Sequence, residues 1–136
     1  LDTEQIDFDS YLDADLIIIG GGNTEKYIAT YVNHEFKNYI KLMLKKGAIV
    51  IGFSAGALLL GEKVYISPND NSDHQIKIKN GLGLFSQFLI SVHYDSWNDK
   101  ANKDRAEELV NVPIIPLNDH SCLVLDKFGN IIEKID

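Results

Sequence analysis

Residues 48–61 read AIVIGFSAGALLLG, an apolar, β-branched run that changes at a serine into a run typical of a helix. Short apolar runs that end in glycine are typical of strands buried on both faces of a parallel sheet. We therefore predict a buried strand over Ala48–Gly52 and a helix over Ala55–Leu60. Ser54 lies at the turn between these two elements, and this position suggests a function for its hydroxyl.

The residues Gly52–Gly56 fit G-x-S-x-G, a pattern in which serine occupies a sharp strand-to-helix turn. Glycines on both sides of the serine permit a close approach of backbone segments. The turn exposes the Ser54 hydroxyl and leaves the amide of Ala55 free to stabilise an oxyanion. Nucleophilic catalysis is therefore one interpretation, and a tight turn whose serine only caps the helix is the other.

Strand and helix patterns alternate along the rest of the chain, which predicts a single α/β domain over residues 1–136 with a mainly parallel sheet. A second apolar run, Asp15–Ile19, ends in the glycines Gly20–Gly22, and ligands bind at such strand ends in parallel sheets. Further helices are predicted from a cap at Asn23 or Thr24 to about Val32, over Glu35–Lys46 and over Asp99–Val110. Further strands are predicted over residues 75–79, Phe88–His93 and Ile114–Leu117, and as a hairpin of Cys122–Leu125 with Ile131–Ile135.

Composition excludes several classes of partner and site. The chain has 136 residues and a formal net charge of −7, which argues against nucleic acid or an anionic membrane as the main partner. No apolar run approaches the roughly 20 residues that span a bilayer. The single cysteine, Cys122, allows neither an internal disulfide nor a metal–thiolate cluster and favours a reducing, cytoplasmic location. We expect no metal and no cofactor.

A nucleophilic serine needs a base within hydrogen-bond reach. Of the four histidines, His34 and His74 fall in polar surface segments, and His120 is ambiguous. His93 ends a predicted strand, which would place its ring near Ser54 at the same end of the sheet. We therefore select His93 as the candidate base, with a histidine that only bonds backbone at a strand end as the alternative.

The base needs an acid that orients it. Asp95 is too close in sequence to His93 to reach its ring easily. Asp119 follows the short strand near Ile114 and is the first candidate. Asp70, in the loop that comes after the predicted helix Ala55–Leu60, is the second. The resulting chain order, Ser then His then Asp, differs from the Ser–Asp–His order of α/β-hydrolases.

The glycine triplet has an alternative interpretation as a phosphate-binding loop at the start of a helix. The stretch GGGNT, residues 20–24, lacks the G-K-[ST] of a Walker loop, and Lys26 stands where G-x-G-x-x-G requires its last glycine. Phosphate binding is therefore a weaker interpretation than a role in serine catalysis.

Three segments together, IIIGGGNT (17–24), IGFSAGALLLG (51–61) and VHY (92–94), resemble the aspartyl dipeptidase (peptidase E) and cyanophycinase family of serine peptidases. The resemblance implies a class I glutamine-amidotransferase-like fold, a three-layer α/β sandwich. It also implies that dipeptides with N-terminal aspartate are hydrolysed through an acyl-enzyme. The residues it implies are Ser54 as nucleophile, His93 as base and Asp119 as acid; Gly21, Gly22 and Ala55 in the oxyanion hole; and Asn23, Asp70 and Arg105 at the substrate.

Two departures from the family pattern keep alternatives open. Family members have a further strand–helix portion ahead of residue 1, so we expect this sequence to need a missing N-terminal segment or a homo-oligomeric partner to cover apolar surface. Arg105, the only arginine, fits the substrate-binding position loosely. A cyanophycinase-like hydrolase of β-aspartyl peptides and a catalytically inactive binding domain of the same fold are therefore the alternative functions.

Overall fold

A computed structural model describes residues 6–136 of the chain. The helices are α1 (Thr24–Tyr31), α2 (His34–Lys46), α3 (Ala55–Leu58) and α4 (Lys100–Val110). The strands are β1 (Leu16–Ile19), β2 (Ile49–Gly52), β3 (Lys63–Ile66), β4 (Lys77–Asn80), β5 (Leu89–Ser91), β6 (Ile114–Pro116), β7 (Cys122–Leu125) and β8 (Ile131–Ile135). Short 3-10 helices cover Phe8–Tyr11 and Pro68–Asp70. Every helix and strand predicted from the sequence is present, which confirms the α/β class.

The strands pair in twos. β1 pairs with β2 and β5 pairs with β6, both in parallel, whereas β3–β4 and β7–β8 are antiparallel. The parallel pairs follow the prediction, because each is connected through helices. The expected single, mainly parallel sheet is not observed as one hydrogen-bonded sheet among the described residues.

Strand β3 has no counterpart in the sequence predictions. Its residues Val64, Tyr65 and Ile66 are all buried. The strand has only four residues, and it is stabilised by pairing with β4, from which it is separated by a polar loop. Local pattern is a weak signal for such a strand, because its burial depends on contacts that are distant in sequence.

Capping residues fix where the two long N-terminal helices begin. The Asn23 side chain accepts a hydrogen bond from the Lys26 amide at 2.9 Å, so Asn23 is the cap of α1, one of the two predicted candidates. Asn33 caps α2 in the same way through the Phe36 amide at 2.8 Å. The cap of α1 therefore ends the glycine loop that follows β1.

Most of the core forms one cluster to which α2, β3 and the region around α3 contribute, with Ile40, Met43, Leu59, Ile66 and Leu82 fully buried. A second cluster contains Tyr65, Leu89, Ala106 and Ile114, so that α4 covers the β5–β6 pair. The ends of β2 and β5 meet where α3 contacts both strands. This meeting point positions the candidate site.

The β1–β2 pair does not have the burial that its sequence predicts. Leu16 pairs with Ile49 and Ile18 pairs with Ile51, and because alternate strand residues share a face, these four side chains form one apolar surface. All four are exposed. The prediction that both strands are buried on both faces is wrong, because no described element packs over this side. We call this surface, Leu16, Ile18, Ile49 and Ile51, the open face.

Within residues 6–136, none of the helices has the length and apolar character that a membrane crossing requires.

Candidate active site

Ser54 lies in the predicted sharp turn between β2 and α3. Its backbone has φ 49° and ψ −116°, a conformation that disfavours side chains other than glycine's hydrogen. The flanking glycines are required by space: a Cβ on Gly56 would lie 2.2 Å from the Ile19 carbonyl oxygen, and one on Gly52 would lie 2.6 Å from Ala57 Cα. Gly56 therefore permits a close contact with the end of β1, and Gly52 permits a close contact with the start of α3.

A chain of short contacts runs from Ser54 through His93 to Asp119. Ser54 Oγ lies 2.9 Å from His93 Nε2, and His93 Nδ1 lies 2.5 Å from Asp119 Oδ1. With the Nδ1 proton donated to the carboxylate, Nε2 is free to accept the proton of the serine hydroxyl. The structure thus brings together the three residues selected as nucleophile, base and first-choice acid.

The geometry of the histidine and the acid follows from the paired strands β5 and β6. His93 follows β5 by two residues and Asp119 follows β6, and the two extensions remain hydrogen bonded through Leu117 N to Ser91 O at 2.8 Å and Tyr94 N to Leu117 O at 3.1 Å. His93 itself has a positive φ of 53°, which directs the chain into a turn. Parallel pairing therefore places both residues at the same sheet edge.

Asp119 is suited to remain ionised. Its hydrogen bond with His93 lowers the pKa of the carboxyl below its ordinary value. The side chain is partly exposed to solvent, which lowers the penalty for keeping the charge. An ionised Asp119 can hold the imidazole in one tautomer and stabilise its protonated form.

Asp70, the second candidate acid, has a different partner. Its Oδ2 accepts a hydrogen bond from Thr24 Oγ1 at 2.5 Å, and Thr24 is a buried residue at the first turn of α1. Burial raises the pKa of Asp70. The structure therefore places Asp119 at the His93 ring and uses Asp70 to join the loop after β3 to the loop after β1.

Of the predicted oxyanion-hole residues, Ala55 follows Ser54 directly and Gly21 lies beside it. A Cβ on Gly21 would be 3.4 Å from Ser54 Cβ, so the glycine loop runs beside the serine. The backbone hydrogen bonds found between described residues do not use the amides of Gly21, Gly22 or Ala55 as donors. The amides of Gly21, Gly22 and Ala55 are therefore without a backbone acceptor among the described residues.

Tyr27 fixes the glycine loop, a contact that its apolar helical spacing does not predict. Its hydroxyl donates a hydrogen bond to the Gly21 carbonyl at 2.8 Å. Its ring also covers Gly22, where a Cβ would lie 2.5 Å from the ring edge. The ring packs as a core residue, as expected, while the hydroxyl orients the loop.

The two remaining residues predicted to bind the substrate, Asn23 and Arg105, lie in different environments. Asn23 lies at the end of the glycine loop, but its side-chain oxygen is occupied as a helix cap. Arg105 is exposed on α4, and the contacts found across residues 6–136 do not link it to Ser54, His93 or Asp119. Over the same residues, no cluster of three or more His, Cys, Asp and Glu side chains has the geometry of a metal site.

Comparison with known proteins places this arrangement in a family. The sequence profile of peptidase family S51 matches residues 2–131. Peptidase E proteins from Actinobacillus pleuropneumoniae serotypes 5b (strain L20) and 3 (strain JL03) are each 30% identical to the chain over 103 residues, which are 73% of this chain and 44% of theirs. The chain thus spans less than half the length of these curated relatives.

Solved structures have the same fold. A peptidase from an acI-B1 Actinobacterium superposes with a TM-score of 0.65 at 22% identity, over 88% of this chain and 49% of that one. A protein from Listeria monocytogenes EGD-e, described provisionally as a peptidase E, superposes with a TM-score of 0.59 at 23% identity, over 94% and 62%. The likeness to these structures supports the fold, and the profile match shows the family. The chain belongs to peptidase family S51.

Proposed function

We propose that the chain carries the catalytic apparatus of a serine peptidase that hydrolyses small peptides through an acyl-enzyme. The observation that supports this most directly is the continuous contact from Ser54 Oγ through the His93 ring to the Asp119 carboxylate. Membership of peptidase family S51 gives independent support. The reaction requires no group beyond these side chains, backbone amides and water.

The proposed mechanism has two steps of acyl transfer. His93 Nε2 takes the hydroxyl proton as Ser54 Oγ attacks the peptide carbonyl carbon, and the free amides near Gly21 and Ala55 bind the oxygen that becomes negative. The carbon–nitrogen bond then breaks, and His93 returns the proton to the departing amine. Water, deprotonated by His93, attacks the ester, and Ser54 regains its proton as the acid product leaves.

For the substrate, we propose dipeptides with N-terminal aspartate. The support is the sequence resemblance to aspartyl dipeptidases together with the relatives named peptidase E. Asn23 ends the glycine loop that runs beside the serine, Asp70 is hydrogen bonded to Thr24 at the start of α1, and Arg105 is the cation named by the resemblance. Because Arg105 has no contact with the triad, a substrate panel is the appropriate test of this specificity.

We further propose that additional α/β polypeptide covers the open face and completes a three-layer sandwich. Two observations support this proposal: four apolar side chains are exposed on one side of a parallel strand pair, and the solved relatives extend well beyond the aligned part. Fully burying one such side chain stabilises by about 1.5–3 kcal/mol.

The exposed free thiol of Cys122 is compatible with the reducing cytoplasm, which we propose as the location.

The test of function is a matched peptide panel. Asp-X dipeptides, X-Asp dipeptides, β-aspartyl dipeptides and apolar dipeptides are each incubated with the wild-type chain and with Ser54→Ala, and released amine is quantified. We expect Ser54-dependent release from the Asp-X set alone. Ser54-dependent release from β-aspartyl peptides would instead support the cyanophycinase-like alternative, and release that persists in Ser54→Ala would exclude the proposed nucleophile.

A further inference from the structure

The carboxylate of Asp99 has no part in the proposed chemistry, yet it is fully buried at the end of the turn that begins at His93. Five side-chain groups donate hydrogen bonds to its two oxygens: Tyr65 Oη at 2.8 Å, Ser67 Oγ at 2.5 Å, Asn102 Nδ2 at 3.0 Å, Ser91 Oγ at 3.2 Å and Asn69 Nδ2 at 3.4 Å. Such a set of donors matches the several lone pairs of the two carboxyl oxygens.

These donors come from four parts of the fold. Tyr65 is on β3, Ser91 is on β5, Asn102 is in the first turn of α4, and Ser67 and Asn69 belong to the segment that leads to Asp70. A single side chain therefore fastens together the strand that precedes His93, the helix that follows it and the loop that carries Asp70.

The segment from His93 to Asp99 is a tight turn with two residues, His93 and Asn98, at positive φ. The Trp97 amide donates to the His93 carbonyl at 2.9 Å, and the Asp99 amide donates to the Tyr94 carbonyl at 3.0 Å. The Trp97 ring packs against the imidazole of His93 with centroids 4.6 Å apart. Strained turns of this kind persist only where the surroundings hold them.

Asn69 connects the Asp99 carboxylate to this turn. Its side-chain amide donates to Asp99 Oδ1 and also to the Trp97 carbonyl at 3.2 Å. The carboxylate thus holds the turn at its end through the backbone of Asp99 and near its middle through Asn69.

Burying a carboxyl group costs desolvation free energy, which an apolar side chain at the same position would not. No lysine or arginine within residues 6–136 forms an ion pair with Asp99, so only hydrogen bonds offset its desolvation. Burial, and next the bond to Asp99, raise the pKa of Tyr65, in agreement with a protonated hydroxyl that donates to the carboxyl group. The position therefore requires an acceptor of several bonds rather than an apolar side chain.

We propose that Asp99 is a positioning residue that holds the turn 93–99 so that His93 Nε2 stays within hydrogen-bond distance of Ser54 Oγ. This proposal rests on the proposed function for its kinetic consequence, but its geometric content is measurable in an inactive protein. Asp99 acts through His93 and does not touch the reacting atoms.

The experiment compares Asp99→Asn with Asp95→Asn. Asn at position 99 keeps the shape but removes the charge and one acceptor oxygen, whereas Asp95 is an exposed acid of the same turn whose side chain has no hydrogen bond within the described residues. Trp97 is the only tryptophan in the chain, and a protonated imidazole quenches indole fluorescence on contact. The pH-dependent quenching of Trp97, absent in a His93→Gln reference, therefore reports the contact between the two rings.

We expect Asp99→Asn to reduce the amplitude of this quenching and to slow labelling of Ser54 by a fluorophosphonate about 10- to 100-fold, since small displacements of a catalytic group have effects of this size. Asp95→Asn should match the wild type in both measurements. Unchanged quenching and an unchanged labelling rate in Asp99→Asn would overturn the proposal.

Two further results keep the test decisive. If circular dichroism shows that Asp99→Asn does not fold, Asn69→Ala, which breaks the link to Trp97 at an exposed position, replaces it with the same expected direction and the same overturning result. If the wild-type protein is not labelled at all, the proposed function fails, and the quenching amplitude alone decides whether Asp99 positions His93.

Discussion

The two parallel strand pairs of this protein have similar sequences and opposite surroundings. In β5–β6, Leu89 and Ile114 are each 2% exposed, because α4 and β3 cover the pair. In β1–β2, Ile18 is 60% and Ile49 is 62% exposed, because only one side of that pair is packed against described elements. Apolar strand sequence therefore shows what a strand can bury, whereas the neighbouring layers decide what it does bury.

The candidate site lies where these two regions meet. The well-covered pair carries His93, the proposed general base, and Asp119, the acid that orients it, and the pair with the open face carries the glycine loop and Ser54. Ser54 therefore follows a strand of the pair that is covered on only one side by described elements. The comparison predicts which substitutions affect chemistry, which affect stability and which affect neither.

Replacement of the nucleophile should have the largest effect. We expect Ser54→Ala to lower turnover of the best Asp-X dipeptide by on the order of 10⁴- to 10⁶-fold, as nucleophile replacements do in serine peptidases. The measurement is initial-rate kinetics with the wild-type chain as reference. Turnover that stays within a few-fold of wild type would remove Ser54 from the mechanism.

A matched pair of truncations tests the comparison directly. Ile114→Ala deletes a buried side chain of β6 and should destabilise by about 2–5 kcal/mol, whereas Ile18→Ala on the open face should cost less than about 1 kcal/mol. Urea denaturation followed by circular dichroism measures both. Equal losses would show that the open face is covered in solution.

The backbone at Ser54 predicts an unusual order of stability. Because residue 54 has φ 49°, Ser54→Gly should be more stable than Ser54→Ala by about 1 kcal/mol, the reverse of the usual cost of glycine. Urea denaturation of the two variants, both without the nucleophile, measures this difference. A less stable glycine variant would argue against strain at the turn.

The two acids near His93 should respond to pH with opposite signs. Burial raises the folded-state pKa of Asp70, so its contribution to stability is present below its unfolded pKa, about 3.9, and is lost as pH rises through the folded value. The bond to His93 lowers the pKa of Asp119, whose contribution is present above about 3.9 and is lost as pH falls through the folded value.

Urea denaturation between pH 3 and 8 tests this contrast with Asp70→Asn and Asp119→Asn. As pH rises, the stability of Asp70→Asn should increase relative to that of the wild type. As pH rises through the lowest part of the range, the stability of Asp119→Asn should decrease relative to that of the wild type. The same sign for both variants would contradict the assigned environments.

The smallest effect concerns the open face itself. We expect Ile18→Lys combined with Ile49→Lys to reduce binding of an apolar fluorescent dye while leaving the urea midpoint almost unchanged, because both side chains are already in water. A large loss of stability would indicate that this surface is buried, for example in a second copy of the chain.

Local signals in the sequence predicted most of the fold. Helix α2 follows from periodic apolar residues and end signals, α4 was predicted as a mostly exposed helix, and the strand-end rule placed Ser54, His93 and Asp119 at one edge. Features of the fold that depend on contacts between residues distant in sequence were not predicted. Strand β3 is buried by its pairing with β4, and the exposure of Ile18 depends on which layers are present.

The environment of Asp99 was missed for the same reason. An aspartate at the start of a mostly polar helix is typical of a solvated cap, and its burial depends on donors from β3, β5 and the loop near Asn69. The choice between Asp119 and Asp70 also needed three-dimensional geometry, because both lie in loops after strands and only one contacts the imidazole.

The most direct test of the central claim is covalent labelling of the folded chain with a fluorophosphonate, with the adduct located by peptide mass spectrometry. Circular dichroism first establishes that the sample and the variants Asp119→Asn and Asp70→Asn are folded. We predict an adduct on Ser54 that forms far more slowly in Asp119→Asn and at a near wild-type rate in Asp70→Asn. Absence of an adduct on the folded wild-type chain, or loss of labelling in Asp70→Asn alone, would contradict the proposed Ser54–His93–Asp119 site.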